Sequence, residues 1–223
     1  MLDAESKLLV SLVIGQRTQE NAYAMWQDFK QRTDGILPEL ITTDEYPVYF
    51  GAILNTYGIP REYPPTGKRG RPRNPRLEAP KDLVYAMVHK KREEGKVVDV
   101  SIRQVFGTKK QLEEALKRST VSKHVNTTFV ERFNGTVRQH NSRKARKVYS
   151  FSKEFKYHAA MSWFATAYYN FCRPHLGLRE KAEGRWTKRT PAIASGISDH
   201  VWSLDEFMSY PLTHKPFAYV ANH

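Results

Sequence analysis

The sequence predicts an α/β fold, because segments with strand character alternate with segments with helix character along the chain. The alternation is clear before residue 60 and resumes after residue 80. Apolar residues make up 40% of the 223 residues and charged residues 26%, which is ordinary for a chain that packs a core. No apolar run approaches the roughly 18 residues of a membrane span. We therefore expect no membrane-spanning segment and a cytoplasmic location.

The first 60 residues predict the order strand, helix, strand, helix. Residues 7–14 form an apolar run typical of a buried strand, and Thr18 is a suitable N-cap for the helix that follows. Residues 37–43 predict a short strand with Asp44 at its carboxyl end, and Pro47 suits the first turn of the next helix. Because ligands of open α/β sheets bind beyond the carboxyl ends of strands, Asp44 is a candidate ligand. The alternative is that Asp44 only caps the following helix.

The remainder of the chain begins with a segment rich in Pro, Arg and Lys, at residues 60–80, which predicts an insertion without regular structure. Beyond it, periodicity and charge predict a charged helix at 81–95, a strand at 96–106, helices at 109–118, 127–143 and 153–171, and a short helix opened by Pro191.

The charge of the chain indicates a polyanionic partner. The formal net charge is +13 and the isoelectric point is about 9.8. Residues 1–60 carry a net −4, residues 61–118 a net +8 and residues 119–153 a net +7. Nucleic acid is the first candidate partner and an anionic membrane the second, while a solvated basic surface is the alternative. The single cysteine, Cys172, excludes an internal disulfide and a Cys-x-x-Cys metal site.

The predicted helix around Glu131 has one apolar stripe, formed by Phe129, Phe133 and Val137. At 100° per residue, Glu131 lies about 200° from Phe129 and faces away from the stripe. Gly135 shares the face of the acid. A helical glycine costs about 1 kcal/mol relative to alanine, so close approach of a ligand or of another backbone would account for it.

Arg138 lies about 10 Å along the same helix from Glu131, at 1.5 Å per residue, and could hold a phosphate. Further basic residues follow and extend this surface: Arg143, Lys144, Arg146 and Lys147. The alternative interpretation makes Glu131 a lone surface acid among bases.

Several ordered motifs resemble those of bacterial insertion-sequence transposases of the DDE type, and most closely those of the IS-one type. TTDEYPVY around Asp44 resembles the second-acid motif, and VERFNGTVRQHNSRKARKVYSFSK resembles the third-acid helix. YYNFCRPHLGL and RTPA resemble the closing motifs of these elements. The residues that match the third-acid pattern are Val130, Glu131, Arg132, Asn134, Arg138, Gln139, Arg146, Lys147, Phe151, Ser152 and Lys153.

This resemblance implies an RNase H-like fold, which is a mixed sheet with flanking helices. It implies two Mg²⁺ or Mn²⁺ ions that cleave double-stranded DNA at the element ends and support strand transfer into target DNA. Asp44 and Glu131 would be catalytic metal ligands. The DNA-binding residues would include Arg132, Arg138, Arg143, Arg146 and Lys147. The family usually acts as a homo-oligomer, and a DNA-acting enzyme would associate with the nucleoid.

A complete DDE site needs a third acid, which the resemblance places on the first strand of the fold. Asp3 is a candidate, but it resembles the acid of a non-catalytic turn in LDAESKLL. We therefore expect a transposase that lacks its N-terminal region and first strands, with an incomplete metal site and weak strand transfer. The expected divisions are 1–59 and 81–172 for the catalytic core, 60–80 for the insertion and 173–223 for a C-terminal extension.

The basic insertion contains Arg69-Gly70-Arg71-Pro72, which resembles an AT-hook. In that motif an extended Arg-Gly-Arg-Pro lies in the narrow minor groove of A/T-rich DNA, so Arg69 and Arg71 are candidate DNA contacts. A plain basic linker has the same composition.

Two other functions remain open from the sequence. One is a catalytically incomplete remnant that acts only as a DNA-binding protein. The other is an RNase H-like nuclease that cuts DNA without joining it.

Overall fold

The computed structural model of the chain describes residues 1–63, 74–145, 147–182 and 184–211. The chain divides into two compact units, Met1–Phe151 and a second that begins at Ser152. The sequence analysis placed a boundary after residue 172 instead. The helix predicted at residues 153–171 therefore falls in the second unit and not in the first.

The first unit is a mixed α/β structure. Its helices are α1 (Gln19–Arg32), α2 (Val48–Tyr57), α3 (Lys109–Arg118) and α4 (Thr128–His140), with a 3-10 turn at Ser142–Lys144. Its strands are β1 (Ile41–Asp44), β2 (Ile59–Arg61), β3 (Arg76–Glu78), β4 (Tyr85–Glu93) and β5 (Lys96–Phe106). The predicted α/β class is thereby confirmed at the level of a small mixed sheet with flanking helices.

The central sheet has the strand order β1-β4-β5. β1 runs parallel to β4, with Ile41 opposite Tyr85 and Asp44 opposite Val88. β4 and β5 are antiparallel, and β4 is therefore the central strand. Asp44 is the last residue of β1, as the sequence predicted.

The predicted helix at 81–95 is wrong, because this segment contains β4. Tyr85 packs into the core cluster on one face, whereas Ala86 and Val88 are buried in the cluster on the other. This alternation has the two-residue period of a strand with both faces covered. At the far end, Glu94 and Gly95 both have positive φ, the requirement of a tight hairpin turn, and they return the chain into β5. The charged residues that suggested a helix lie where this hairpin is exposed.

The predicted strand at 7–14 is also wrong. Leu9 forms one isolated antiparallel bridge with Leu2, and no ladder extends from it. Leu8, Leu9 and Ser11 are nevertheless buried, and the Ser11 hydroxyl donates to the carbonyl of Met25 in α1 at 2.9 Å. The apolar run at residues 7–14 is thus buried against α1 and is not paired within a sheet.

The helices flank the central sheet on both faces. Trp26 of α1 and Ile53 and Tyr57 of α2 pack with Tyr85 on one face. Leu112 and Leu116 of α3 pack over Ala86, Val88 and Val125 on the opposite face. The predicted cap is present, because the Thr18 side chain accepts from the Asn21 N–H at the start of α1. Gly58 ends α2.

The proline-rich segment is not irregular throughout, as we had expected. β2 and β3 pair antiparallel at its two ends, and Arg61 forms an ion pair with Glu78 at 2.8 Å. The AT-hook-like residues Arg69 and Arg71 lie outside the described residues.

The second unit contains the helices α5 (Phe155–Phe171), α6 (Pro191–Ala194) and α7 (Leu204–Ser209), and the short antiparallel strands β6 (Glu180–Ala182) and β7 (Arg185–Thr187). Thr190 is fully buried and accepts from the Ile193 N–H, so the Thr-Pro pair of the RTPA motif starts α6. In the described part of the chain, no helix has the length and apolar character needed to cross a membrane.

Candidate functional site

Asp44 lies at the carboxyl end of β1, with 59% of its side chain exposed. Its Oδ2 accepts from Nη2 of Arg17 at 3.0 Å. The guanidinium of Arg17 lies over the ring of Tyr46 at 4.0 Å, and the Tyr46 hydroxyl donates to the Arg17 carbonyl at 2.9 Å. The segment before α1 therefore folds over the end of β1 and brings a cation to the carboxylate.

The alternative role of Asp44 as a helix cap does not hold. The residue at the N-cap of α2 is Pro47, and no side chain caps this helix. The Asp44 carboxylate thus forms an ion pair with Arg17 at the surface and no hydrogen bond that caps α2. Surface ion pairs of this kind contribute little to stability.

Glu131 lies in the first turn of α4, with 58% of its side chain exposed. It forms an ion pair with Nζ of Lys90 on β4, and Thr127 donates to the same carboxylate oxygen at 3.0 Å. Lys90 also donates to the Thr127 hydroxyl at 3.3 Å. These three side chains fix the start of α4 against the central strand.

The pKa of Glu131 lies below its ordinary value, chiefly because Lys90 donates a hydrogen bond to the carboxylate. The hydrogen bond from Thr127 and the charges of Lys90 and Arg92 act in the same direction, while partial burial opposes them. Glu131 is therefore ionised under neutral conditions, in the state that a cation requires.

We expect Lys90→Met to raise the pKa of Glu131 toward the ordinary value of 4.5. A depressed folded-state pKa stabilises the fold above the unfolded pKa, and this contribution is lost as pH falls through the folded value. The variant should therefore lose less stability on acidification. A carbon-13 NMR titration of the Glu131 carboxyl measures the shift. Lys91→Met is the matched control, because Lys91 pairs with Glu93 instead; equal titration in both variants would contradict this assignment.

The register of the sheet relates Asp44 to Glu131. Asp44 is opposite Val88 in the parallel pair, and side chains of opposed residues lie on the same face of a sheet. Lys90 is two residues further along β4, hence on that same face and about 7 Å from Val88 along the strand. Since Lys90 contacts Glu131, both acids flank one short stretch of the central strand.

A second acid at this edge was missed by the sequence analysis. Glu45 follows Asp44 directly and forms an ion pair with Nδ1 of His89 on β4. Arg17, His89 and Lys90 were not among the candidate residues either. A signal was present in residues 83–88, a continuous apolar run typical of a strand buried on both faces. In such a strand His89 and Lys90 would lie on opposite faces.

The predicted orientation of α4 is confirmed. Phe133 is buried, and Phe129 and Val137 are half-buried. The Nζ of Lys7 lies 3.8 Å from the centre of the Phe129 ring, which fixes the buried side of the helix. Glu131, Gly135 and Arg138 are exposed on the other side. A Cβ added at Gly135 would meet no described atom within 4 Å, so packing within the described residues gives no reason for a glycine there.

The predicted DNA-binding residues that the structure describes all lie in the first unit and are exposed. Arg132 and Arg138 project from α4, Arg143 is in the 3-10 turn and Lys147 follows it. Arg146 is outside the described residues, as are Arg69 and Arg71. Asn141 caps the turn by accepting from the Arg143 N–H at 3.1 Å, so the basic surface continues directly from the end of α4.

Asp3 does not join the other acids. Its Oδ2 accepts from the N–H of Ser6 at 2.8 Å, and its own N–H donates to the Leu8 carbonyl, so its carboxylate closes a turn. Glu5 accepts from the N–H and hydroxyl of Thr120 at 3.1 and 3.0 Å. Within the described ranges, no group of three or more His, Cys, Asp or Glu side chains is placed to hold a metal ion.

Comparison with known proteins found no matching family model, no similar curated protein and no similar solved structure. Assignment of a function therefore depends on the geometry above and on the sequence motifs.

Proposed function

We propose that this chain is a DNA transposase of the DDE type, which cleaves element ends and transfers them into target DNA. The observation that carries the proposal is the register of β1 against β4. Asp44 of β1 lies on the same face of the sheet as Lys90 of β4, which contacts Glu131. A parallel strand pair with an acid at its carboxyl end, followed by a helix with a second acid beside it, agrees with an RNase H-like core. We propose that fold for the first unit.

Asp44 and Glu131 fit part of a Mg²⁺ or Mn²⁺ site. Both are exposed, both offer hard oxygen donors, and each pairs with the side chain of an arginine or lysine. A bound metal pair would activate the attacking oxygen and stabilise the leaving oxygen of a phosphodiester. The described residues supply two of the three acids that such a site needs, so we expect the activity of this chain to be weak.

The exposed side of α4 would bind the DNA. Arg138 lies two turns beyond Glu131 and Arg132 adjoins it, so both can hold phosphates beside the acid. Arg17 and Lys90, which pair with the two carboxylates, would also be able to face phosphates if Asp44 and Glu131 held a metal.

Gly135→Ala tests this placement. Alanine should stabilise the exposed helix by about 1 kcal/mol, because it lowers the conformational entropy of the unfolded chain. DNA affinity should nevertheless fall several-fold, since the methyl group lies where a backbone approaches. Thermal unfolding and fluorescence anisotropy with a labelled duplex measure the two effects. Thr136→Ala, at the next position, is the control; unchanged DNA affinity in Gly135→Ala would contradict close approach.

Cleavage of DNA tests the function itself. The chain is incubated with supercoiled plasmid and Mn²⁺, and nicked, linear and joined products are quantified on gels. We expect slow metal-dependent breakage that is lost in both Asp44→Asn and Glu131→Gln, with DNA binding retained. Breakage that persists in both variants would contradict the proposed site.

The absence of a third acid from the described site favours one alternative, a protein that binds DNA without cutting it. In that case the wild-type chain binds duplex DNA and gives no metal-dependent breakage. A nuclease that does not join is separated by the products, since it gives nicks without joined DNA.

A further inference from the structure

The outer edge of β5 is free within the described part of the chain. The sheet order β1-β4-β5 makes β5 an edge strand, and it is eleven residues long. An exposed edge of this length offers a row of backbone donors and acceptors to another strand.

The edge is also apolar on one face. Val100 and Ile102 are 56% and 51% exposed. They are opposite Lys90 and Val88, so they share the face on which Ala86 and Val88 are buried. The apolar layer of the sheet therefore continues outward to β5 and ends uncovered there.

Bulges that commonly disrupt an exposed edge flank this region but do not enter it. The register with β4 skips Val98 at one end and Val105 at the other. Residues 99–104 between them pair regularly and contain no proline. This regular window is available for further pairing.

The sequence of the window is complementary to itself in the antiparallel direction. If two copies pair about a twofold axis through Ser101, Asp99 of each faces Arg103 of the other, and Val100 faces Ile102. Asp99 and Arg103 are exposed and take part in none of the described ion pairs. Lys91, which is opposite Asp99 within the sheet, pairs with Glu93 instead.

We infer that a second copy of this chain pairs its β5 with this edge, antiparallel and centred on Ser101. The two three-stranded sheets then form one sheet of six strands. Two Asp99–Arg103 pairs and two Val100–Ile102 pairs fix the register. The inference does not depend on the proposed function, and it is tested without DNA.

A charge-reversal series tests the register. Asp99→Arg and Arg103→Asp each turn two attractive cross-strand pairs into two repulsive ones, so each should weaken self-association roughly tenfold. The double variant Asp99→Arg/Arg103→Asp restores both pairs in reversed order and should recover the wild-type association. Sedimentation velocity over a concentration series, on nuclease-treated protein, measures the dimer dissociation constant, and circular dichroism checks the fold.

Cysteine cross-linking tests the position of the axis. In a Cys172→Ser background, Ser101→Cys places two sulfurs across an antiparallel pair whose Cα atoms lie roughly 4.5–5.5 Å apart, within disulfide range. Lys96→Cys is the control on the same strand, because in this register the two copies of residue 96 lie roughly 30 Å apart. We expect an oxidised dimer only for Ser101→Cys.

Three outcomes would overturn the inference. One is a wild-type chain that stays monomeric at all concentrations. Another is a dimer that tolerates either single charge reversal and cross-links equally through residue 96. The third is protection from hydrogen exchange, in a monomer, of the β5 amides that face away from β4, because it would assign the edge to a different segment or partner.

Discussion

Glu131→Gln should weaken Mn²⁺ binding by at least about 100-fold, the upper end of the loss seen when only an outer-shell partner of a metal is removed. Asp44→Asn should have a similar effect. Both changes replace an anionic oxygen donor with a neutral amide of the same shape, and hard divalent cations bind carboxylates in preference. Titration with Mn²⁺, followed by the electron paramagnetic resonance signal of the free ion, gives the affinity directly.

Glu93→Gln is the matched control, because Glu93 is also an exposed acid in an ion pair with a lysine, Lys91 at 2.8 Å. It should leave Mn²⁺ affinity within about twofold, as expected for a change outside the site. The double variant Asp44→Asn/Glu131→Gln should lose less binding free energy than the sum of the two single losses, since the effects of ligands of one ion are not additive. Independent, additive losses would mean that the two acids do not share a site.

Removal of the basic surface formed by α4 and the residues that follow it should give the second large effect. A variant with Gln at Arg132, Arg138, Arg143 and Lys147 should lose DNA affinity on the order of 100-fold at low salt. The slope of log affinity against log salt should fall by roughly 3 to 4, because each lost phosphate contact contributes about 0.9. Fluorescence anisotropy with a labelled duplex at several salt concentrations measures both quantities.

The same number of charges can be removed from α3 as a control. Its exposed basic residues are Lys109, Lys110, Lys117 and Arg118. Their replacement by Gln lowers the net charge of the chain equally but should reduce DNA affinity only a few-fold. Similar losses of DNA affinity in the two variants would contradict a specific contact by α4, because they would follow from the net charge alone.

Much of the first unit was predictable because local chemistry determines it. Thr18 caps α1 as predicted, and α3 and α4 form where helices were predicted. β4 was missed because its second half, from His89 to Glu93, is a run of polar and charged residues that is also typical of an exposed helix. This segment is a strand because it lies between β1 and β5 in the sheet. Its pairing with β1 involves residues far away in sequence.

The candidate site was predictable in its acids but not in their partners. Asp44 and Glu131 belong to local motifs, whereas Arg17 and Lys90 reach them across 27 and 41 positions of the chain. Lys90 could not be recognised while its segment was predicted to be helical, since its contact with Glu131 requires the strand register. Contacts of this kind are a property of the tertiary fold, and the sequence motifs alone do not contain them.

The most direct test of a shared metal site is affinity cleavage of the protein backbone. Fe²⁺ with ascorbate and peroxide generates radicals at the bound ion, and the cut positions are read by mass spectrometry. We predict cuts near both Asp44 and Glu131, suppressed by excess Mg²⁺ and lost at both positions in Asp44→Asn or Glu131→Gln alone. Cuts that persist in these variants and disappear in Glu45→Gln or His89→Ala would contradict the account, because they would place the metal at the neighbouring pair.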